Sequence, residues 1–411
     1  MSRLGLFQGF GVELEYMLVD AATLDVLPAA DRLLEAAAGR PCADVELGAT
    51  AWSNELALHV LEMKTNGPAP GLAGLAAVFQ PDVARANALA AGLGGRLLPG
   101  GAHPWMDPAR ETRLWPHEDG PIYRAYDRIF GCRGHGWSNL QSTHLNLPFA
   151  GDAEFGRLHA AVRLLLPILP ALSASSPILD GRPTGLLDSR METYRHNSAR
   201  VPSVCGLVIP EPVYDEAAYR RDIFERMYRD MAPLDPEGVL RHEFLNARGA
   251  IARFDRGAIE IRVLDIQECP AADLGLAALA CAALQALAAE RWAGLAEQQA
   301  FGTEPLARIL LACIRDAEQA VLDDPRYLAA LGLPGESRLS AAELWSHLLD
   351  AALPPEARDP AWDPALAAFS DQGCLARRIL AALGGDYRRE PLREVYADLA
   401  GCLDRGEAFR A

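Results

Sequence analysis

The stretch "FQGFGVELEYMLVD", residues 7–20, sets two glutamates, Glu13 and Glu15, into an otherwise apolar run. A strand turns its side chains to alternate faces. Glu13 and Glu15 therefore share one face, and Val12, Leu14 and Tyr16 share the other. The device recurs. In "RGAIEIRVLD", Glu260 and Arg262 lie opposite Ile259, Ile261 and Val263. In "STHLNLP", His144 and Asn146 lie opposite Leu145 and Leu147. Each strand has a greasy back and a polar front. Several carboxylates facing one pocket cannot all stay ionised without compensation. Oxygen-seeking divalent cations are the natural remedy, Mg²⁺ with carboxylates and substrate phosphates above all. A single histidine in the set suits Mg²⁺ or Mn²⁺.

"NELALHVLEMKTNGP" adds Glu55, Glu62 and Lys64. Glu55 and Glu62 are seven apart, so one regular strand would aim them at opposite faces. A bulge, a break between two short strands, or a helix would each bring them together, and the sequence leaves these open. Taken singly, every feature has an ordinary reading. A glutamate pair is commonly a half-exposed strand, a lone histidine a structural one, and Glu260 with Arg262 a surface pair. The case for a site rests on four such segments, each with polar residues set against an apolar back.

The elements that must position these residues follow from periodicity and breakers. Residues 9–20, 52–65 and 142–149 read as strands, and 249–270 as a hairpin. Residues 31–39, 70–93, 153–175 (broken by prolines) and 215–231 read as helical. Residues 176–203, rich in turn residues and arginine, read as a long functional loop. "GGAHPW" makes His103 a loop organiser rather than a ligand. "SAAE", Ser340–Glu343, is a capping box. Strands concentrate before residue 270 and the rest is helical, an α+β pattern. The expected division is 1–270 for the sheet region and 271–411 for a helical region packed on it, the two forming one integrated domain.

The chain has 411 residues, half of them hydrophobic, and a net charge of −16 from 39 basic and 55 acidic side chains. That balance argues against nucleic acid or an anionic membrane as partner. Lys64 is the sole lysine among many arginines. The eight cysteines form no CxxC pair, which predicts free thiols in a reducing cytoplasm. The N-terminus has no signal-peptide pattern, and the most apolar run, 274–289, reads as a buried helix.

Six segments in order carry a resemblance. "GVELEY" is similar to a G-[IV]-E-x-E strand, and "NELALHVLEMKT" to a [DE]-x(6)-E-[FLM] segment. "GGAHPW" resembles a G-[GT]-x-H-P-[FW] loop, and "STHLNLP" an H-[VI]-H strand. "LSASSPILDGRPTGLLDSR" resembles an S-A-[SA]-S-P…S-R loop, and "GAIEIRVLD" a G-[TA]-[VI]-E-[VI]-R-x-x-D strand. Together, over residues 9 to about 290, they resemble the glutamate–cysteine ligase superfamily, closest to its bacterial carboxylate–amine ligase branch. The resemblance implies a glutamine synthetase-like fold: a curved, mainly antiparallel sheet with the site on its concave face and helices on the convex one. It implies an ATP- and Mg²⁺-dependent ligase, with Mn²⁺ able to substitute, that joins a carboxylate to an amine through an acyl phosphate. Glutamate is the expected donor, an amino acid or small amine the expected acceptor.

By the same resemblance Glu13, Glu15, Glu62, His144 and Glu260 are metal ligands, with Glu55 beside them in a catalytic role. Arg262 meets ATP phosphates, and Arg190 holds an anionic group of substrate or acyl phosphate. Asn146 stands where the branch commonly has a second histidine. It and Lys64 are assigned to the nucleotide side. A homodimer is expected by analogy. Two other functions fit the same residues: a phosphotransferase on this scaffold, and a non-catalytic nucleotide- or partner-binding homologue.

Overall fold

Apolar–polar alternation along residues 11–20 builds the centre of the protein, whose computed structural model describes residues 3–118 and 120–411. The strands are β1 (Gly11–Asp20), β2 (Asp44–Glu46), β3 (Thr50–Asn54), β4 (Val60–Thr65), β5 (Gly95–Leu98), β6 (Ser142–Pro148), β7 (Ile178–Leu179), β8 (Arg182–Pro183), β9 (Ala250–Arg253) and β10 (Ala258–Asp265). Eight of them form one sheet in the order β2-β3-β4-β1-β6-β10-β9, with β5 also paired to β1. Every pairing in this sheet is antiparallel. β1 is the hub: β4 pairs with residues 13–17, β6 with 11–14 and β5 with 17–20.

The backs of these strands make the core. Val12, Leu14, Tyr16, Leu61, Met63, Leu145, Leu147, Ile259 and Ile261 are essentially fully buried. They share one hydrophobic cluster with Leu158, Ala161 and Leu165 of the helix Gly151–Leu165 and with Leu274, Ala277 and Leu284 of the helix Pro270–Ala288. Burying such side chains contributes about 1.5–3 kcal/mol each. Among the described residues two helical stretches are long and apolar enough to cross a membrane by composition, Gly151–Ser173 and Pro270–Ala288. Both lie mostly inside this core.

The run 52–65 is two strands. β3 ends at Asn54, β4 begins at Val60, and Glu55 sits in the connection, so the parity conflict disappears. The expected loop 176–203 is more ordered than its composition suggested. It holds the β7–β8 hairpin and the helix Ser189–Tyr194, whose start is capped by Asp188 accepting from the Met191 amide at 2.8 Å. The helical last third contains one small strand pair, Val321–Leu322 with Leu339–Ser340. The capping box at Ser340 and Glu343 is formed. All eight cysteines are free thiols, seven of them buried.

The end of β10 is fastened by Asp265. Its buried carboxylate accepts from the Ser175 amide at 2.8 Å, the Ser176 hydroxyl at 2.8 Å and Arg190 at 3.2 Å. Gly101 packs directly against it, and a Cβ there would collide with the carboxyl group. Gly101→Ala should therefore lower stability by about 1–3 kcal/mol, the usual range for overpacking a tight interior. Thermal unfolding checks this, and a variant as stable as the parent would show that the contact can relax.

Candidate functional site

The polar fronts converge because antiparallel register places them side by side. Glu13 is opposite Lys64 on one flank and His144 on the other. Glu15 is opposite Glu62, and Asn146 is opposite Gly11 and Glu260. Directly opposed residues on one face stand about 4.5–5.5 Å apart at Cβ. The face lines a cavity of about 1230 Å³. All ten residues expected at the site, Glu13, Glu15, Glu55, Glu62, Lys64, His144, Asn146, Arg190, Glu260 and Arg262, lie on its wall.

The contacts are specific. His144 Nδ1 is 2.8 Å from Glu13 Oε2, and its Nε2 is 3.0 Å from Ser142 Oγ. Ser142 gives both its amide, at 2.7 Å, and its hydroxyl, at 2.8 Å, to Glu15 Oε2. Asn146 Nδ2 donates to Glu13 Oε1 at 3.0 Å. Glu62 Oε1 accepts from Ser53 Oγ at 2.6 Å and pairs with Lys64 at 3.1 Å. Glu260 is gripped by two arginines, Arg262 on Oε1 and Arg253 on Oε2 at 3.3 Å.

Among the described residues two groupings offer metal-ligand atoms within 4.8 Å of one another: Glu13, His144 and Glu260; and Glu15, Glu62 and His144. The donors are carboxylate oxygens and one imidazole, a hard set that fits Mg²⁺ or Mn²⁺. A neutral imidazole has one lone pair, so His144 can serve only one grouping. The Ser142 hydroxyl proton is engaged with Glu15, so its oxygen is the acceptor for Nε2–H. In a metal-bound neutral ring the lone pair would then be on Nδ1, in place of the proton that bonds Glu13 here. A cation would then draw His144 into the Glu13–Glu260 grouping, with Ser142 fixing the ring from behind. Glu15 and Glu62 are left as the second grouping, and Glu55 is their nearby third carboxylate.

Charge sets the proton inventory. Burial, then the Glu15, Glu62 and Glu13 charges, push the Glu55 carboxyl well above the ordinary range. Burial, then Glu13, raises Glu62 against the opposing pull of Lys64 and Ser53. Burial alone would lower His144, but Glu15 and Glu13 outweigh it and raise the imidazole. Burial would also raise Glu260, yet Arg262, His144 and Arg253 hold its carboxyl at about 2.

Lys64 and Arg190 are more committed than their sequence roles suggest. The Lys64 ammonium meets Ser53 at 2.7 Å and Glu62 and Asp44 at 3.1 Å each, which accounts for its three protons. Arg190 donates to Asp265 at 3.2 Å and to the Arg262 carbonyl at 2.7 Å. Its Nε is buried without a partner. His103 is a loop organiser as expected, with Nε2 bound to the Leu24 carbonyl at 2.7 Å.

Sequence reasoning missed Arg253, Ser142 and an aromatic wall of Tyr123, Tyr126, Trp137 and Phe244. Ser142 was legible, two residues before His144 on the same face. Arg253 required the hairpin register that pairs it with Ala258. Tyr123 and Tyr126 sit on the helix Gly120–Phe130, whose three- and four-residue spacing in "YRAYDRIF" was the available signal.

Glu55, Glu62 and His144 all hold protons more firmly in the fold than in the unfolded chain. Their contribution to metal-free stability is thus lost as pH rises through their raised values. A bound cation must expel those protons, so its affinity grows with pH. Mg²⁺ or Mn²⁺ should raise the unfolding temperature, and more at pH 8 than at pH 6. Saturation at a hundredfold Kd corresponds to about 2.7 kcal/mol. Differential scanning fluorimetry with and without metal reads this directly, and a larger metal response at pH 6 would contradict the assigned proton inventory.

Residues 9–398 match the model of glutamate–cysteine ligase family 2. An uncharacterized protein of Archaeoglobus fulgidus is 31% identical over 408 residues, covering 97% of this chain and 99% of its own. A Rubrobacter xylanophilus protein provisionally named glutamate–cysteine ligase 2-3 is 29% identical over 280 residues, 68% of this chain and 69% of its own. Among solved structures, the glutamate–cysteine ligase of Francisella tularensis in complex with AMP superposes with a TM-score of 0.58 at 12% identity, covering 98% of this chain and 90% of that one. The bifunctional glutathione synthetase of Pasteurella multocida gives 0.62 at 14%, covering 97% of this chain and 53% of that one. At such identities the structures bear on the fold alone. The match over nearly the whole chain decides membership: this protein belongs to glutamate–cysteine ligase family 2.

Proposed function

We propose that the protein is an ATP- and Mg²⁺-dependent carboxylate–amine ligase with glutamate as donor, working through an acyl phosphate. The observation that carries this is the pairing of two oxygen-rich ligand groupings with Arg262 and Arg253 on one face of the sheet. The metal, when bound, supplies charge neutralisation at the phosphoryl oxygens.

A donor carboxylate oxygen attacks the γ-phosphorus and ADP leaves. The amine nitrogen then attacks the acyl carbon, the carbon–oxygen bond to phosphate breaks, and inorganic phosphate departs with that electron pair. Arg262 and Arg253 lie where charge builds on the phosphoryl oxygens, and planar guanidinium groups grip such oxygens in pairs. Asn146 keeps Glu13 aimed, and Lys64 does the same for Glu62 on the nucleotide side. Arg190, with its unpartnered Nε, faces the donor's anionic group. Glu55, kept off the strands and with its proton affinity raised by the neighbouring glutamates, would take the proton released by the amine once the bound cation has left it ionised. In this reading the polar face is the concave face of a curved sheet, and residues 271–411 buttress it.

ADP and phosphate release should require ATP, Mg²⁺, glutamate and an amine together. Glu13→Gln and Glu260→Gln should each lower that rate by about 10²–10³-fold, in line with losing one oxyanion-stabilising contact. Phosphate retained on the substrate would favour the phosphotransferase. Absence of ATP binding in calorimetry would sink the ligase reading.

A further inference from the structure

Arg190 reaches the cavity wall from the helix Ser189–Tyr194, with its Nε buried and unpartnered. The residue that starts this helix is an acid in an unusual setting. Asp188 is fully buried. Its Oδ1 accepts from the Met191 amide at 2.8 Å, and its Oδ2 is buried with no hydrogen-bond partner.

Two carboxyls here meet one cation. The second carboxyl is Asp265, and Ser176 ties the two together. Ser176 forms a β-bridge with Asp188 and gives its hydroxyl to Asp265 at 2.8 Å. The same Ser176 oxygen accepts from the Arg190 amide at 3.0 Å. The cation is Arg190, 3.2 Å from Asp265. Among the described residues Asp188 has no arginine, lysine or histidine within salt-bridge distance. The helix Thr303–Asp316 packs against this segment, and its Ile314 and Arg315 carbonyls accept from the Asp188 and Leu187 amides. Its charged ends are engaged elsewhere, Arg315 with Asp316 at the surface. Its Cys313 thiol is buried, which pushes it up.

Two ionised carboxylates against one guanidinium would bury a surplus negative charge. Asp188 Oδ2 would then be an anionic oxygen with nothing bonded to it, a costly arrangement away from water. A proton on Oδ2 removes both faults. It neutralises Asp188 and gives it an O–H with Asp265 in reach as acceptor. Burial, then the Asp265 charge, raise the Asp188 carboxyl well above the ordinary range against the pull of Arg190. Asp265 is the better holder of the charge, since Ser175, Ser176 and Arg190 all donate to it. Two buried carboxyls thus divide one proton.

We infer that Asp188 is a neutral acid that donates a hydrogen bond to Asp265, and that it is thereby a positioning residue for Arg190. With that proton in place Asp265 belongs to Arg190 alone. A ligand's anionic group at the Arg190 Nε then meets no surplus negative charge behind it. The consequence for the donor rests on the ligase reading; the shared proton does not.

The full-length protein would be compared with Asp188→Asn and Asp188→Ala. Asparagine keeps the helix cap and offers Asp265 an N–H in place of the O–H, whereas alanine loses both bonds. In the fold Asp188 keeps a proton that the unfolded chain releases near about pH 4. The parent therefore loses stability as pH rises above that value, and Asp188→Asn does not share the loss. Its melting temperature should gain on the parent's by about 3 °C or more between pH 5 and pH 8. A gap that stays constant or narrows overturns the inference, because Asp188 would then be ionised in the fold. With ATP, Mg²⁺ and a pool of amines, Asp188→Ala should raise the KM for glutamate about tenfold and leave that for ATP within twofold, while Asp188→Asn keeps both near the parent's. An asparagine variant as impaired as the alanine one overturns the inference, and so does an unchanged glutamate KM in Asp188→Ala. If the parent turns over no acceptor, the ligase reading fails and the melting comparison alone decides the shared proton.

Discussion

Everything in this protein is arranged around the electrostatic cost of five glutamates on one side of an antiparallel sheet. Glu13, Glu15, Glu55, Glu62 and Glu260 line one cavity, and a low-dielectric apolar core lies immediately behind the strands that carry most of them. Like charges so placed repel strongly, and burial strips them of water. The fold answers in three ways: hydrogen bonds from Ser53, Ser142 and Asn146, fixed cations, and raised proton affinity where neither suffices. The apolar backs make the arrangement possible. They anchor the strands so firmly that the fronts can be organised for charge instead of stability.

The three fixed cations are not equivalent. Arg253 and Arg262 clamp Glu260 from both sides and keep it ionised, while Lys64 neutralises Glu62 at the far edge of the row. Between them Glu13, Glu15 and Glu55 have, among the described residues, no arginine or lysine of their own within salt-bridge distance. His144 alone is shared, bonded to Glu13 and 3.7 Å from Glu15. The uncompensated stretch is thus the middle of the row, flanked by cations at both ends. A divalent cation fits the middle, and a polyanion fits the arginine end.

Much of this was legible because a strand's period of two is rigid. Placing Glu13 with Glu15, His144 with Asn146 and Glu260 with Arg262 needed no tertiary information, and register then did the rest. Glu55 was ambiguous because its place depends on where β3 stops, a local break that alternation cannot show. The helix Ser189–Tyr194 was hidden by surrounding glycines and prolines, although Asp188 is a good cap. The aromatic wall was invisible for a different reason. Its members come from the helix Gly120–Phe130, the short helix His135–Ser138 and the 3-10 turn Glu243–Leu245, so only the fold brings them together.

Asn146 shows how closely side-chain identity and backbone are coupled here. It lies opposite Gly11, and a Cβ on Gly11 would approach the Asn146 Cβ to 2.9 Å. The glycine that opens "GVELEY" therefore serves as clearance as well as strand entry: it lets the neighbouring side chain lean across and donate to Glu13. A histidine at 146 would need the same clearance and would bring a second titrating group beside an already crowded set. Asparagine gives the hydrogen bond without a charge that depends on pH. Glu13 thus keeps one neutral donor, Asn146, whose hydrogen bond does not depend on whether His144 carries the proton on Nδ1.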